Sequence, residues 1–273
     1  MSRIITTLGG RLGSSAVQGI DLGPTGQFAW GAGGTPVNPQ LIFQTSSVYT
    51  GETVSRRGIF SYWYLAPAST SDVNLTLKFE SSTGVHVFNE VGLSGDAPVM
   101  NLRAPDKTSL VDVTAASAAS ASAWHHVLWS WDIGVGNTYA NDFHLYVDDV
   151  DQKPGTPAAF LTTDDVEWGT GNLFVTNYRM GVVDSQLTAP TLRHAAWYLN
   201  YNEYLDFSVT ANRRKFIDAS GDPVALGVDG SLPTGSQPLF YFDNDAANVL
   251  TNRGSAGNFL AGATIIGATG PNP

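Results

Sequence analysis

The stretch Trp124–Asp132, with the sequence WHHVLWSWD, carries the richest strand signal in this chain. Tryptophan, valine and leucine favour strands, and a glycine-containing loop follows directly. Beyond that loop, Phe143, Leu145 and Val147 recur at every second position and therefore share one face of another predicted strand. The acidic run Asp148–Asp151 that follows is predicted to be a turn.

The segments around this region extend the same pattern. Gly58–Leu65 (GIFSYWYL) is apolar on both faces, which predicts a buried central strand that the following Ala-Pro pair stops. Asn74–Glu80 alternates, with its odd positions facing a core and its even positions facing water. Further strands are predicted at 41–44, 85–88, 99–102, 109–113, 173–175, 179–183, 191–199, 238–242 and 259–266. Roughly a dozen short strands separated by turn signals are typical of a sandwich or jelly roll.

The composition favours strands and loops over helices. There are 19 Asp but only 5 Glu, together with 29 Gly and 14 Pro, and these are the residues of turns. One short helix is predicted within residues 202–218, with Ser208 capping a turn that begins at Val209. Because strands and helices do not alternate, we predict an all-β, antiparallel two-sheet jelly-roll sandwich with one short helix. Residues 1–36 are predicted to form an N-terminal arm or irregular strand that attaches the protein to its neighbours, and residues 37–273 to form the sandwich domain.

Charge and residue usage exclude several classes of protein. The 273 residues carry a formal net charge of −10, which argues against nucleic acid as the main partner because phosphate binding needs a basic patch. The chain has no cysteine, so disulfides, zinc–cysteine sites and cysteine nucleophiles are excluded. No apolar run approaches the roughly 20 residues of a membrane helix, and the N-terminus is not patterned as a secretory signal. We therefore expect a protein made in the cytosol, without membrane insertion.

Three sets of residues, in order along the chain, carry a resemblance to a known family. They are the strand Phe60–Pro67, the pair Trp124–Val127 and Leu145–Asp148, and the late segments Arg179–Gly181 and Ala195–Tyr198. They resemble the F-S-x-W-x-x-P, W-x-H-V … L-Y-V-D-G and late-strand motifs of laminin-G-like domains, in the concanavalin A-like lectin/glucanase superfamily. The resemblance covers roughly residues 40–265 and implies a concanavalin A-like sandwich. The chain departs from it at Asp149, where the family hairpin usually has Gly, and this concerns only the type of turn.

A later segment carries a more particular resemblance. Tyr204–Gly235 and Asn252–Phe259 are similar to the C-terminal portion of laminin-G-like proteins that are common among tailed-phage structural genes. This resemblance implies a bacteriophage virion protein. A sugar-binding sandwich usually works outside cells, and a virion component that assembles in the host cytoplasm leaves by lysis without an export signal.

The sequence does not carry the acids of a hydrolase of this fold. Such glucanases place their catalytic carboxylates on one strand as Glu-x-Asp-x-Glu or a close variant, whereas the five Glu residues here lie far apart. The adjacent His125 and His126 point to opposite faces of a strand and so do not easily chelate one ion together. We therefore expect no enzymatic activity, with two acids from separate strands as the open alternative.

The best candidates for carbohydrate contact lie in a polar loop. Trp168 follows Asp164 and Asp165, and Tyr178 is nearby in sequence. An aromatic ring stacks on a sugar face while neighbouring carboxylates accept hydrogen bonds from its hydroxyls. The alternative is that Trp168 anchors its loop. Trp63, Trp124 and Trp197 fall at family strand positions and are predicted to be core residues.

The Asp-rich turn is a candidate cation site. Asp148, Asp149 and Asp151 offer carboxylate oxygens, which are the ligands that Ca²⁺ prefers. The alternative is that the turn uses aspartate for its local backbone hydrogen bonds. Apart from this Ca²⁺, no cofactor is expected.

The leading functional expectation is a non-catalytic bacteriophage virion structural protein, placed on the head or tail as a decoration, fibre or spike. It would assemble with other virion proteins, form a homo-oligomer and bind host-surface polysaccharide, since repetition multiplies weak sugar contacts. One alternative is a polysaccharide depolymerase with a divergent acid pair. The other is a purely structural decoration protein that binds no glycan.

Overall fold

The computed structural model describes residues 19–21, 40–44, 54–65, 78–80, 90–94, 97–104, 106, 108–117, 123–167, 177–181, 193–243, 251–256, 258, 260–261 and 266–268. Nearly all regular structure in these ranges is β. The strands are β1 (Gly19–Asp21), β2 (Gln40–Gln44), β3 (Val54–Ser55), β4 (Arg57–Leu65), β5 (Lys78–Glu80), β6 (Glu90–Ser94), β7 (Ala97–Arg103), β8 (Ser109–Thr114), β9 (Trp124–Asp132), β10 (Phe143–Val147), β11 (Val150–Asp151), β12 (Ala159–Phe160), β13 (Val166–Glu167), β14 (Asn177–Gly181), β15 (Arg193–Asn200), β16 (Phe240–Phe242), β17 (Leu260–Ala261) and β18 (Ile266–Ala268). Two short helices, α1 (Tyr139–Asp142) and α2 (Thr210–Arg213), complete the described elements.

The main sheet has the strand order β11-β10-β9-β4-β15-β1-β18, and β16 also pairs with β15. Every described pair is antiparallel, and β4 lies between β9 and β15 along its length, with Phe60 opposite both Trp129 and Leu199. A second sheet has the order β12-β8-β7-β6, and smaller groups pair β13 with β3 and order β17-β2-β14-β5. The predictions of an all-β antiparallel sandwich and of a central strand at Gly58–Leu65 are therefore confirmed.

The core lies between the main sheet and the β12-β8-β7-β6 sheet. Alternate residues of β9 point inward, so that Trp129 and Trp131 are completely buried beside Phe60 and Tyr62 of β4. Each such side chain contributes roughly 2–3 kcal/mol through the apolar area that it removes from water. Met100, Leu102, Leu110 and Val113 cover this core from the second sheet. The prediction that Trp63 and Trp197 are core residues is confirmed, and Trp124 is partly buried.

A long connection covers the opposite, outer face of the main sheet. Residues 201–226, which we call the strap, follow β15 and include α2. The strap packs three apolar side chains against the outward residues of the central strands. These three are Phe207, Phe216 and Leu226, and they contact a layer formed by Ile59, Leu128, Tyr146, Tyr198 and Tyr241. The strap explains why the central strands are apolar on both faces, since neither face meets water.

Part of the predicted N-terminal arm joins the main sheet. Strand β1 lies between β15 and β18, with Ile20 opposite His194 on one side and Gly267 on the other. The arm and its boundary at residue 36 stay predictions, since residues 19–21 are the only described part of it. The predicted strands at 85–88 and 173–175 lie outside the described residues.

The helix prediction needs a correction. Within the predicted range the structure forms only the single turn α2, and Ser208 does not cap it. The Ser208 hydroxyl and main-chain nitrogen instead donate to Asp206 Oδ1, a local hydrogen-bond pattern that competes with capping, and Val209 takes the N-cap position. Helix α1 was not predicted from the sequence. Among the described residues, no helix is long and apolar enough to cross a membrane.

Candidate functional site

The four residues predicted to contact carbohydrate are only partly described. The Asp165 carboxylate accepts a hydrogen bond from Arg56 Nε at 2.5 Å, and Asp164 accepts one from the Asp165 main-chain nitrogen. Tyr178 lies in β14 with its backbone paired to β2 and β5, and its side chain is outside the described residues, as is Trp168. Carbohydrate contact by these four residues therefore stays a prediction.

The Asp-rich turn is a two-residue hairpin loop. Val147 of β10 pairs directly with Val150 of β11, so Asp148 and Asp149 alone connect the strands. Both residues have left-handed backbone angles, with φ of 50° and 64°. Two consecutive positive φ values define a type I′ turn, whose twist matches that of the hairpin. The Asp at position 149, where the resembling family has Gly, therefore occupies a conformation that favours glycine.

The carboxylates of this turn bind protein groups. Asp148 Oδ2 lies 2.6 Å from His125 Nδ1, and its Oδ1 accepts a hydrogen bond from the His126 main-chain nitrogen. Asp151 Oδ1 accepts one from the Lys153 main-chain nitrogen. In the part of the chain that the structure describes, no three His, Asp or Glu side chains converge as a metal site would require. Each of these carboxylates therefore has a partner inside the protein, and Ca²⁺ binding by Asp148, Asp149 and Asp151 stays a prediction.

Asp149 fastens the hairpin to the strap. Its two carboxylate oxygens receive hydrogen bonds from two guanidinium groups, from Arg213 Nε at 2.5 Å and from Arg214 Nη2 at 2.6 Å. The Arg213 guanidinium also lies 4.4 Å from the centre of the Tyr146 ring. Partial burial raises the pKa of Asp149, but the hydrogen bonds and charges of the two arginines lower it further, so the net pKa shift is downward. The carboxylate is therefore held in its charged form.

The two adjacent histidines take the opposite faces that the strand pattern predicts. His125 faces inward beside Tyr64, and His126 faces outward, stacked on Trp63 with ring centres 4.8 Å apart. His126 Nε2 lies 2.8 Å from the Ser61 hydroxyl, and both side chains are buried. Burial lowers the pKa of His126 to about 4, so the ring is neutral at physiological pH. His126 therefore belongs to the outer face, where Ile217 of the strap packs against Trp63, and His125 belongs to the inner face.

The described surface with the best chemistry for a ligand lies where the strap meets the start of β10. We define the Tyr204 surface as Tyr139, Asn141, Asp142, His144, Lys153, Tyr204 and Asp206. The partly exposed Tyr204 donates its hydroxyl proton to the Asn141 main-chain oxygen at 3.1 Å. Its oxygen therefore accepts the hydrogen bond from His144 Nε2 at 2.8 Å, which places a proton on that nitrogen. The buried histidine thus fixes the orientation of the exposed ring.

Carboxylates surround this ring. Asp206 Oδ1 lies 3.3 Å from His144 Nε2 and accepts hydrogen bonds from Ser208. Burial, together with Asp206 and Asp142, raises the pKa of the Tyr204 hydroxyl, which therefore stays protonated. Burial lowers the pKa of His144 despite the attraction of Asp206, so its ring is neutral. The surface offers a fixed phenol beside carboxylates that are charged at neutral pH.

Helix α1 forms the other side of the Tyr204 surface. The Tyr139 ring stacks on Phe143 at 5.2 Å, and its hydroxyl donates to the Pro154 main-chain oxygen at 3.0 Å. Lys153 Nζ donates to the Ala140 main-chain oxygen at 2.7 Å, which holds the ammonium against the helix. The residues of this surface are far apart along the chain, so no local pattern predicts that they come together. The one local signal was a histidine within the alternating apolar pattern of 143–147.

Comparison with known structures identifies the architecture. A candidate carbohydrate-binding protein from Bacteroides ovatus aligns over 94% of this chain with a TM-score of 0.52 and 10% identity. The described part of the chain therefore has the antiparallel β-sandwich fold of this protein. It covers 62% of the length of the Bacteroides protein. At lower similarity, a heptameric pentraxin from Limulus polyphemus aligns over 93% of this chain and 95% of its own, with a TM-score of 0.48 and 9% identity.

The receptor-binding domain of botulinum neurotoxin D is a further structural neighbour. It aligns over 68% of this chain and 45% of its own, with a TM-score of 0.43 and 10% identity. No protein-family model matches this sequence, and no curated protein sequence matches it. The identities are too low to transfer any residue role, so the comparisons establish the sandwich fold and nothing finer.

Proposed function

We propose that this chain is a non-catalytic carbohydrate-binding module that contacts glycans through the Tyr204 surface. The observation that carries the proposal is the Tyr204 ring, which is partly exposed and held by hydrogen bonds to His144 and Asn141. A ring that is already oriented can stack on the apolar face of a sugar with little loss of side-chain entropy. The adjacent Asp206 and Asp142 carboxylates can accept hydrogen bonds from sugar hydroxyls. The assignment of the Bacteroides protein to carbohydrate binding supports the proposal.

The acids of the described chain support a binding role over hydrolysis. A glycosidase needs one carboxylic acid whose pKa is raised, so that it can protonate the leaving group. The described aspartates whose pKa departs from its ordinary value are all shifted downward: Asp106, Asp149, Asp206, Asp218 and Asp229. Groups held in the charged form accept hydrogen bonds and do not act as acids.

A glycan array with the protein displayed as an oligomer tests this function. We expect binding to a restricted set of glycans, and a loss of about fivefold in affinity for Tyr204→Ala, since stacking is worth on the order of 1 kcal/mol. Tyr204→Phe, which keeps the ring, should retain most of the affinity. Val228→Ala, at a side chain that is 88% exposed in another loop, serves as the control.

Three results of this test would change the proposal. Equal binding by Tyr204→Ala and the parent protein would reject the surface. Steady release of reducing ends from a bound polysaccharide would favour the depolymerase alternative. The absence of binding to any glycan, even by the oligomer, would favour a purely structural decoration protein.

For the biological setting we propose a virion structural protein of a tailed bacteriophage, displayed on the head or tail as a homo-oligomer beside other virion proteins. The support is the resemblance of Tyr204–Gly235 and Asn252–Phe259 to phage structural proteins. Purified particles should then contain the protein. Removal of residues 1–18, which spares β1, should reduce its incorporation if this segment is the attachment arm. Full incorporation of the truncated protein would reject the attachment role.

A further inference from the structure

The charges around the Tyr204 ring are strongly unbalanced. Asp132, Asp142 and Asp206 all lie close enough to act on the Tyr204 hydroxyl. Asp142 and Asp206, together with Asp151, also act on the adjacent Lys153. The cations of this set are Lys153 itself and Arg57, the partner of Asp132, so four carboxylates against two cations leave a charge of −2 within the set. Arg213, which donates to the Ser208 main-chain oxygen, is paired with Asp149.

Both cations are engaged inside the protein. Arg57 Nε donates to Asp132 Oδ2 at 2.7 Å, and Lys153 Nζ donates to the Ala140 main-chain oxygen at 2.7 Å. The Lys153 ammonium also lies 5.4 Å from the centre of the Tyr139 ring. Arg57 keeps further N–H donors, since its side chain is 61% exposed, but its charge is matched by that of Asp132. A carboxylate or sulfate on a glycan therefore meets an unfavourable net charge at this surface.

The aromatic rings fit the opposite class of ligand. A cation near the face of a tyrosine ring is attracted by the ring quadrupole, and nearby carboxylates add to that attraction. Tyr204 offers such a ring beside Asp206 and Asp142. Neither of these carboxylates is the ion-pair partner of Arg57, which is Asp132. The partly exposed phenol supplies the apolar contact that any sugar needs, and the net negative charge then selects among sugars.

From this arrangement we infer that the Tyr204 surface prefers glycans that carry free amino groups, such as oligomers of glucosamine, over acetylated or acidic ones. The inference rests on the proposed function, because it assigns the ligand class of the same surface. It implies that the affinity falls with rising salt, since exposed charges are screened beyond about 8–10 Å at physiological ionic strength.

The test uses three tetrasaccharides that share one β-1,4-linked glucosamine backbone and differ only at nitrogen. They carry free amines, N-acetyl groups or N-sulfates, and binding to the full chain is measured by titration calorimetry at low salt and slightly acidic pH. We expect the amine form to bind about fivefold more tightly than the acetylated form, and the sulfated form to bind most weakly. Equal affinities, a preference for the sulfate, or no binding of the amine form would overturn the inference.

Matched variants separate this inference from the proposed function. Asp142→Asn keeps a side-chain oxygen that can accept a hydrogen bond but removes the charge, so it should lower the affinity for the amine form more than the affinity for the acetylated form. Asp106→Asn removes the same charge from an exposed turn between β7 and β8 and should change neither affinity. One outcome is array binding to other glycans that Tyr204→Ala abolishes, together with no binding of the amine form. This outcome would reject the ligand class and retain the proposed function. If Tyr204→Ala leaves array binding unchanged, both the ligand class and the proposed function of the Tyr204 surface are rejected.

Discussion

Replacing Asp149 tests the role of the β10–β11 turn, because this residue combines a left-handed backbone with two ion pairs. Truncation to alanine leaves Arg213, whose side chain is only 11% exposed, without its carboxylate partner. The pair is neither fully exposed nor fully buried, so its loss should cost about 2 kcal/mol, between the values for surface and buried pairs. Alanine at a φ of 64° adds about 1 kcal/mol of strain that glycine does not incur.

The expected order of stability is therefore parent, then Asp149→Gly, then Asp149→Ala, with the last about 3 kcal/mol below the parent. Urea denaturation followed by tryptophan fluorescence gives the free energies of unfolding. Asp151→Ala, in the same hairpin but at an exposed residue, is the control and should change the stability by less than about 0.5 kcal/mol.

Two outcomes would refute the reasoning. If Asp149→Gly were less stable than Asp149→Ala, the left-handed backbone would not be a source of strain at this position. If both variants matched the parent, the two arginines would not hold the strap. The pKa of Asp149 is lowered in the folded state, so its contribution is present above the ordinary aspartate pKa of about 4 and disappears as the pH falls through the lower folded value. The difference between parent and variants should therefore narrow in strong acid.

Other positions give further predictions. Gly58→Ala places a Cβ 2.0 Å from the completely buried Trp131 ring, so it should lower the stability by more than about 3 kcal/mol in urea, whereas Gly155→Ala, with open space around it, should be nearly neutral. His126 has a pKa of about 4 in the fold against 6.5 for a free side chain, so the unfolded chain binds the proton first as the pH falls. The free energy of unfolding should therefore fall by about 3 kcal/mol as the pH falls from 6.5 to 4. His126→Gln should flatten the dependence of stability on pH in this range, and an unchanged dependence would contradict the reasoning. Ala196→Gly, at a left-handed φ of 48° in a β-bulge, should raise the melting temperature by a few degrees, and a decrease would show that the backbone there is unstrained.

The sequence predicts the centre of the sandwich well, because side-chain alternation and strand propensity act locally. Gly58–Leu65 and Trp124–Asp132 form paired neighbouring strands that the apolar pattern indicates. The cover on their outer faces could not be identified, since the strap has little regular structure and its apolar residues have no periodicity. The sequence showed that both faces of β4 are buried without showing what buries the second one.

The Tyr204 surface escaped prediction for a related reason. Its ring, its buried hydrogen-bond donor and its main-chain acceptor come from the strap, β10 and α1, and tertiary packing alone brings them together. The intramolecular partners of the Asp-rich turn could not be predicted either, because aspartate binds both metal cations and guanidinium groups. The partners Arg213 and Arg214 lie more than 60 residues away, so no local pattern could distinguish the two roles.

The position of β1 and β18 determines how the molecule would present its ligand surface. Strand β1 pairs with β15 at Arg193 and His194, and β18 lies next to β1, whereas the Tyr204 segment follows the other end of β15. From His194 to Asn200, β15 rises by about 3.3 Å per residue, so these two regions lie roughly 20 Å apart. A partner bound at β1 or β18 would thus lie about that far from the Tyr204 ring, and the length of the sheet would act as a spacer between the two contacts.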